Sequence, residues 1–493
     1  MITRRDLIKG AAAAGIATAV GCAAAPRRSE LVIEENLKPG TTDWLLTNVP
    51  KTKCRSPQIE GYATKTSVRG GETVEFKVST NPAAKFVIDL YRLGYYGGKG
   101  GRLYERFGPF QGSPQPDPPV GVERVRECAW ETAMRLTVPG NWPSGVYLAK
   151  LTANPEEFQS YIIFIVRDDR ECDFLFQCSD TTWSAYNRWP DLFSLYDDGT
   201  PPHNWYVGPG VRVGWDRPYG RYRQILDAPL SQGSGEYLLW EFPLAFWMEQ
   251  QGYDVSYISN MDTHADPARL RRSKAFLSVG HDEYWSRAMF DNLKAAIDSG
   301  VNAAFFSGNS VDGLLHILPS AAAEPRRIIT RVGKFGVFDH EMKKFGDRWK
   351  EHGPNPATLM GARSTFPYNG SADWTCTHEK HWLFEGTGMK NGDRIPGLVG
   401  WEHHGLPAEI PGLEVVARGP VFSGKRPQNV EYTATIHPGP KRNLVFNAAT
   451  IWWSDGLSAP PGYLRPSAHG GTPPGPDARV QRITRNLFER FLA

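Results

Sequence analysis

Three segments carry side chains whose types and spacing could do chemistry. Gly280-His281-Asp282-Glu283-Tyr284-Trp285 sets an imidazole beside two carboxylates. A carboxylate in such a turn can ligate a metal or act as a general base, and the histidine can move a proton. Ser307-Gly308-Asn309 offers short polar groups suited to hydrogen-bonding a substrate or a bound water. Asp180-Thr181-Thr182-Trp183-Ser184-Ala185-Tyr186-Asn187-Arg188-Trp189, with Phe193-Ser194-Leu195-Tyr196-Asp197 after it, is an aromatic loop. Its tyrosines, taken alone, read as packing residues with solvated hydroxyls. For the first segment the competing reading is structural: Asp282 and Glu283 could cap a helix beginning near Ser286, where acidic side chains favour the first turn. Asp282 suits that role. Three polar residues of different type are harder to absorb into it, so His281, Glu283 and Asn309 are the catalytic candidates.

The elements that must position these residues follow from periodicity. Phe174-Leu175-Phe176, Tyr253 to Ile258, Lys274 to Val279 and Asn302 to Phe306 are short apolar runs. Helical patterns at Trp240 to Gln251, ending at Gly252, and at Ser286 to Ser299, closed by Gly300, fall among them. Strand and helix in turn imply βαβ crossovers, hence a central parallel α/β sheet of amidotransferase or flavodoxin type with ligands at the carboxyl ends of its strands. His281-Asp282-Glu283 directly follows one such strand and Ser307-Gly308-Asn309 the next, so the two should be neighbours. Upstream, alternating runs such as Thr73 to Val78, Phe86 to Tyr91 and Gly145 to Leu151, broken by Gly, Pro and Asn, predict a β-sandwich. Tyr91, Tyr95 and Tyr96 beside Gly94, Gly97 and Gly98 could mark a sugar-binding surface, with turn packing the commoner explanation. Downstream, strand candidates at Leu413 to Ala417, Glu431 to Ile436 and Asn443 to Asn447 and a final helix from Asp477 to Leu492 give a β-rich remainder. The fold class is therefore multidomain, α/β and all-β: an N-terminal β-sandwich at 51–168, the α/β part at 169–317, and a β-rich, loop-rich portion at 318–493 that completes the α/β domain.

The 493 residues carry a formal charge of +3 and 22% charged side chains, which leaves no basic stripe and excludes nucleic acid as an expected partner. Fifty Gly, 39 Pro and 16 Trp lean toward turns and aromatic packing. Residues 1–25, with Thr3-Arg4-Arg5-Asp6-Leu7-Ile8-Lys9 before an Ala/Gly run, have the layout of a twin-arginine export signal. Ala19-Val20-Gly21-Cys22 resembles a lipoprotein box, so membrane attachment is expected only through a lipid on Cys22. Residues 26–50 read as a linker. The expected location is periplasmic or cell-envelope. There, Cys54 with Cys128 or Cys172 with Cys178 could pair, leaving Cys376 a buried thiol.

Taken together, the motifs resemble the catalytic region of the N,N-dimethylformamidase large-subunit family. The similarity runs through Ser184-Ala185-Tyr186-Asn187, Ser194-Leu195-Tyr196, Trp215-Asp216-Arg217-Pro218, Gly252 to Tyr257, Ser278 to Ser286 and Phe305 to Asn309. It reaches more loosely to Tyr91 to Tyr96, Gly397 to Glu402 and Phe446 to Thr450. The resemblance implies hydrolysis of a small-molecule amide at a mononuclear Fe3+ centre, held by Tyr186, Tyr196 and Glu283, with Tyr219 as a reserve ligand and His281 and Asn309 close by. A homo-oligomer is compatible with it, and nothing in the sequence calls for a small subunit. The alternative is an exported, surface-anchored, non-catalytic protein that binds carbohydrate or another envelope component. A cysteine amidotransferase-like enzyme is disfavoured because the sequence lacks a Cys at a strand–helix turn with a nearby His.

Overall fold

The computed structural model describes residues 29–50, 52–203, 205–223, 226–227, 229–337, 348–366, 370–467 and 471–493. The proposed export signal and Cys22 lie outside the described residues. The chain is a mixed α/β, strand-rich protein organised around a nine-stranded sheet. Five parallel strands run side by side in the order Val255–Ser259, Cys172–Cys178, Ser273–Gly280, Asn302–Ser307 and Leu444–Asn447. Four antiparallel strands extend the sheet: Arg426–Pro438, Glu414–Ser423, Gly370–Thr375 and Arg394–Trp401. Along Cys172–Cys178 and Asn302–Ser307 every residue is buried, as expected of strands covered on both faces, and this is why they read as continuous apolar runs.

Helix Arg287–Ser299 covers one face. Its buried residues Met289, Phe290, Leu293, Ala296 and Ile297 recur at helical spacing. Ser286 caps it, the hydroxyl accepting from the Met289 amide at 3.2 Å, and Gly300 ends it in the left-handed conformation. On the other face, helix Ala478–Leu492 places Phe488 4.3 Å from the ring of Phe174. The apolar run from Trp240 divides into a π-helical turn, Tyr237–Glu241, and the α-helix Phe242–Gln251. Among the described residues no helix is long and apolar enough to cross a membrane.

Upstream lie two further sheets. One holds Glu60–Ala63, Thr73–Ser79 and Thr132–Thr137; the other holds Ser67–Arg69, Phe158–Arg167, Gly145–Asn154, Lys85–Leu93 and Gly101–Gln111. They share a core of Val74, Phe76, Ile88, Leu90, Tyr147, Leu151 and Phe164. The opposite face of the five-stranded sheet, through Tyr91, Leu148, Tyr161, Ile163 and Ile165, belongs to the same core as the parallel strands. Tyr91 and Tyr96 are buried and Tyr95 packs 5.1 Å from Phe246, so this aromatic group is packing.

The structure departs from expectation at the N-terminal segment and at the cysteines. Residues 29–50 are not a free linker: helix Glu30–Asn36 docks through an Asn36–Glu249 hydrogen bond of 2.8 Å, and Trp44 is buried against Phe242. The cysteines Cys54, Cys128, Cys172, Cys178 and Cys376 are all buried free thiols. Cys172 and Cys178 stand at opposite ends of one strand, about 20 Å apart at the strand rise, far beyond disulfide reach. Cys54 lies against Gly220, while Cys128 packs among Tyr62, Trp130 and Trp189.

Candidate functional site

The candidate residues converge where the order of the parallel strands reverses, between Cys172–Cys178 and Ser273–Gly280. The chain leaves the first strand into a short buried helix, Asp180–Ala185, which delivers Tyr186. Two threonines in that helix grip the neighbouring strand end. The Thr182 hydroxyl accepts from the amides of Glu283 and Tyr284 at 3.1 and 3.2 Å, and the Thr181 hydroxyl donates to the Tyr284 carbonyl at 2.6 Å. Tyr186 and Glu283 are thereby held in register. Tyr196 comes back over Tyr186 because Leu195 donates to the Ala185 carbonyl, and because a turn closes between Ser194 and Asp197. Arg217, buried, clasps the loop between them. Its Nη1 donates to the carbonyls of Trp189 and Phe193, and its Nη2 to those of Ser184 and Asn187, at 2.7 to 3.3 Å. That fork accounts for the Trp215-Asp216-Arg217-Pro218 motif.

The result is a compact oxygen cluster. The Tyr186 hydroxyl makes a short hydrogen bond to Glu283 Oε2; the Tyr196 hydroxyl lies 3.2 Å from Glu283 Oε1; the two hydroxyls are 2.8 Å apart. The rings stack at 4.9 Å. Tyr219 stands elsewhere, edge-on to Trp183, and the third phenol of the cluster is Tyr284, whose hydroxyl bonds closely to that of Tyr196. His281 Nε2 lies 3.2 Å from Glu283 Oε2 and 2.6 Å from Glu402 Oε2, while its Nδ1 faces Glu236 at 3.6 Å. Among the described residues His281, Glu283 and Glu402 form the one group of such ligand types whose donor atoms converge, all within 4.8 Å.

Asn309 is brought alongside by strand pairing, Gly280 opposite Ser307. Its backbone is left-handed, with φ of 53°, and its Oδ1 is buried with no hydrogen-bond partner among the described residues. The Ser310 amide donates to His404 Nε2 at 3.0 Å, and His404 Nδ1 is tied to Asn447 Oδ1 at 2.8 Å, so a rigid histidine sets this turn. Two glycines are obligatory. Gly280 has φ of 69° and a Cβ there would meet the Trp240 side chain at 2.6 Å; a Cβ on Gly313 would meet the Tyr284 ring at 2.4 Å.

The capping role expected of Asp282 is not what it does. Ser286 caps the helix, and Asp282 is a buried hub accepting from Gln177, Asn260, Ser278 and Trp285 at 2.7 to 2.9 Å. Its four donors keep the strand end rigid beneath His281 and Glu283.

Electrostatically the site is acid-rich. Burial, then the charge of Glu283, pushes the Tyr186 and Tyr196 phenols well above their ordinary range. Burial also lifts Glu402, to about 7. For His281 burial works downward, but the adjoining Glu402, Glu236 and Glu283 outweigh it and raise the imidazole well above its usual value. Glu283 is pushed up by burial and pulled lower overall by its hydrogen bonds and proximity to His281. Sequence reasoning gives no role to Glu402, Glu236, Tyr284, Arg331 or the two threonines. Tyr284, Thr181 and Thr182 stand inside the segments singled out above and Glu402 ends the Gly397 to Glu402 segment, whereas Glu236 and Arg331 carry no such signal.

These features define an α/β protein with a buried carboxylate–phenol–imidazole centre at the reversal point of a parallel sheet. Residues 87–467 match the family described as N,N-dimethylformamidase beta subunit-like, C-terminal, and the chain belongs to that family. No curated protein matches the chain significantly.

Proposed function

We propose that the chain is a metal-dependent hydrolase of carbon–nitrogen bonds in small linear amides, with a ferric ion held by Tyr186, Tyr196 and Glu283. The observation that carries this reading is the convergence of two phenol oxygens and a carboxylate, drawn from separate strand ends and wholly buried. Hard anionic oxygens of this kind suit Fe3+, and the raised phenols need a strong local positive charge before they give up their protons. When bound, the ion supplies Lewis acidity. The protein's own groups handle the rest. His281 presents Nε2 toward Glu283 and Glu402, poised to give its proton to the departing amine. Glu402, with its raised affinity for protons, accepts one from the attacking water. Asn309 directs a free Oδ1 and its amide toward substrate or water. Burial of all these groups excludes bulk water and strengthens each interaction.

The five parallel strands, numbered along the chain, run 2-1-3-4-5, which supports a flavodoxin-type core for the catalytic part. With it go division at 51–168, 169–317 and 318–493, export by the twin-arginine route, and action on an amide that reaches the cell envelope.

Purified protein expressed with iron should carry one iron per chain and a phenolate-to-iron charge-transfer colour. Glu283→Ala should lose both the iron and amide hydrolysis. Iron content unaffected by that substitution overturns the ligand assignment.

A further inference from the structure

We propose that Tyr284 is a positioning residue and not a ligand: its hydroxyl donates a hydrogen bond to the Tyr196 oxygen, with Arg331 setting the direction of that bond. The proposal rests on the phenolate–metal reading above and goes beyond it in assigning two residues that the ligand set does not include.

Directionality follows from what each group can do. A guanidinium only donates. Arg331 Nη1 lies 2.9 Å from the Tyr284 hydroxyl, so the Tyr284 oxygen accepts there and its single proton is left for its other neighbour, Tyr196. Tyr196, receiving that proton, has its own hydroxyl directed to Glu283 Oε1 at 3.2 Å or to the Tyr186 oxygen at 2.8 Å. The two protons a cation would displace are therefore those of Tyr186 and Tyr196, which bond Glu283, and Tyr284 keeps its own.

Arg331 is itself held for that role. It is 4% exposed, and the Glu283 carboxylate acts on it electrostatically without a direct ion pair among the described residues. Its guanidinium sits instead 4.8 Å over the Tyr196 ring, 5.9 Å over the Tyr284 ring and 4.8 Å over the Trp349 ring. A buried guanidinium set back from its carboxylate relies on the groups it touches. Those are the Tyr284 oxygen and the ring faces of Tyr196 and Trp349, so the position of Arg331 fixes which way the Tyr284 hydroxyl points. Backbone pairing locks this arrangement: Tyr284 opposes Gly313, and Arg331 opposes Leu315 on the adjoining strand.

The test uses the full chain stripped of metal and titrated with Ga3+, whose binding is colourless, so that the ultraviolet tyrosinate difference signal counts ionised phenols. Wild type should ionise two. Tyr284→Phe should still ionise two, bind Ga3+ about tenfold or more weakly, the worth of one hydrogen bond to an anion, and, loaded with Fe3+, show a charge-transfer band at longer wavelength. Tyr196→Phe should ionise one. Arg331→Met, which leaves Tyr284 in place, should reproduce the weakened affinity should Tyr284→Phe fail to fold. A count of one phenolate in Tyr284→Phe makes Tyr284 a ligand and overturns the proposal, as does unchanged affinity and band position in both variants. No phenolate signal in wild type overturns the metal reading itself, and this proposal with it.

Discussion

Two buried ionic networks in this protein are built on opposite terms. Near the sandwich, Arg92 forks onto Glu249 at 2.8 and 3.0 Å, Tyr257 and Asn36 complete the Glu249 carboxylate, and Glu35 receives Lys38, Arg102, Tyr96 and Tyr104 at 2.7 to 2.9 Å. Every acid there has a base. At the strand ends, Glu236, Glu283 and Glu402 crowd one histidine, and among the described residues neither oxygen of Glu236 accepts a hydrogen bond. A satisfied network fastens residues 29–50 and the five-stranded sheet to the helix Phe242–Gln251. An overcharged one holds like charges together at an electrostatic cost, and such sites are where function concentrates.

The sharpest way to break this contrast is to remove one charge from each side. Arg92→Ala should cost roughly 3–5 kcal/mol of stability in urea unfolding, because it strands the buried Glu249 carboxylate. Glu402→Gln in the metal-free chain should be neutral or stabilising, while hydrolysis falls. Comparable losses in both variants would erase the distinction.

The pH dependence should also have opposite signs. Glu35 is pushed up by burial and pulled down more strongly by Arg92 and its hydrogen-bonding partners, to about 2. Its contribution, roughly 3 kcal/mol by linkage, is present above the unfolded value near 4.5 and is lost as pH falls toward 2. Glu402, raised to about 7, contributes in the other sense. The metal-free chain is favoured below about 4.5 and loses stability as pH rises through 7, and Glu402→Gln should flatten that upper limb in thermal melts. An upper limb unchanged in the variant assigns it to another group.

A smaller effect tests the scaffold between the regions. Thr182→Val keeps the volume but leaves two buried amides unpartnered, at about 1–3 kcal/mol. It should shift Glu283 enough to lower metal affinity, whereas the same change at Thr132, on the sandwich, should leave metal affinity untouched. Equal metal affinity in wild type and Thr182→Val would remove the threonine grip from the account of the site.

Parts of this were legible in advance for local reasons. Apolar runs at Phe174 to Phe176 and Asn302 to Phe306 became the central strands because a strand covered on both faces must be apolar throughout. Ser286 and Gly300 bounded their helix because caps act within one turn. The same local logic points Asp282 toward capping, because it lies close to a helix start, whereas Gln177 and Asn260, arriving from two other strand ends, give it better-placed partners. The cysteine pairings failed in the same manner, since spacing along a chain says little about distance across it.

The residues of this chain by themselves determined the strand-to-turn positions of His281, Glu283 and Asn309, because a parallel sheet sends its loops to one edge. Which groups meet there was decided by the tertiary structure. The Leu444–Asn447 strand carries the parallel sheet into an antiparallel extension whose loop returns Glu402 to His281, and a second sheet, in which Tyr284–Ser286 pairs with Gly313–Leu318 and that strand with Ile328–Phe335, brings Arg331 to Tyr284. Neither encounter has a period or a spacing in the sequence. Both arise from long-range pairing, where the partner is chosen by packing and hydrogen bonding in three dimensions.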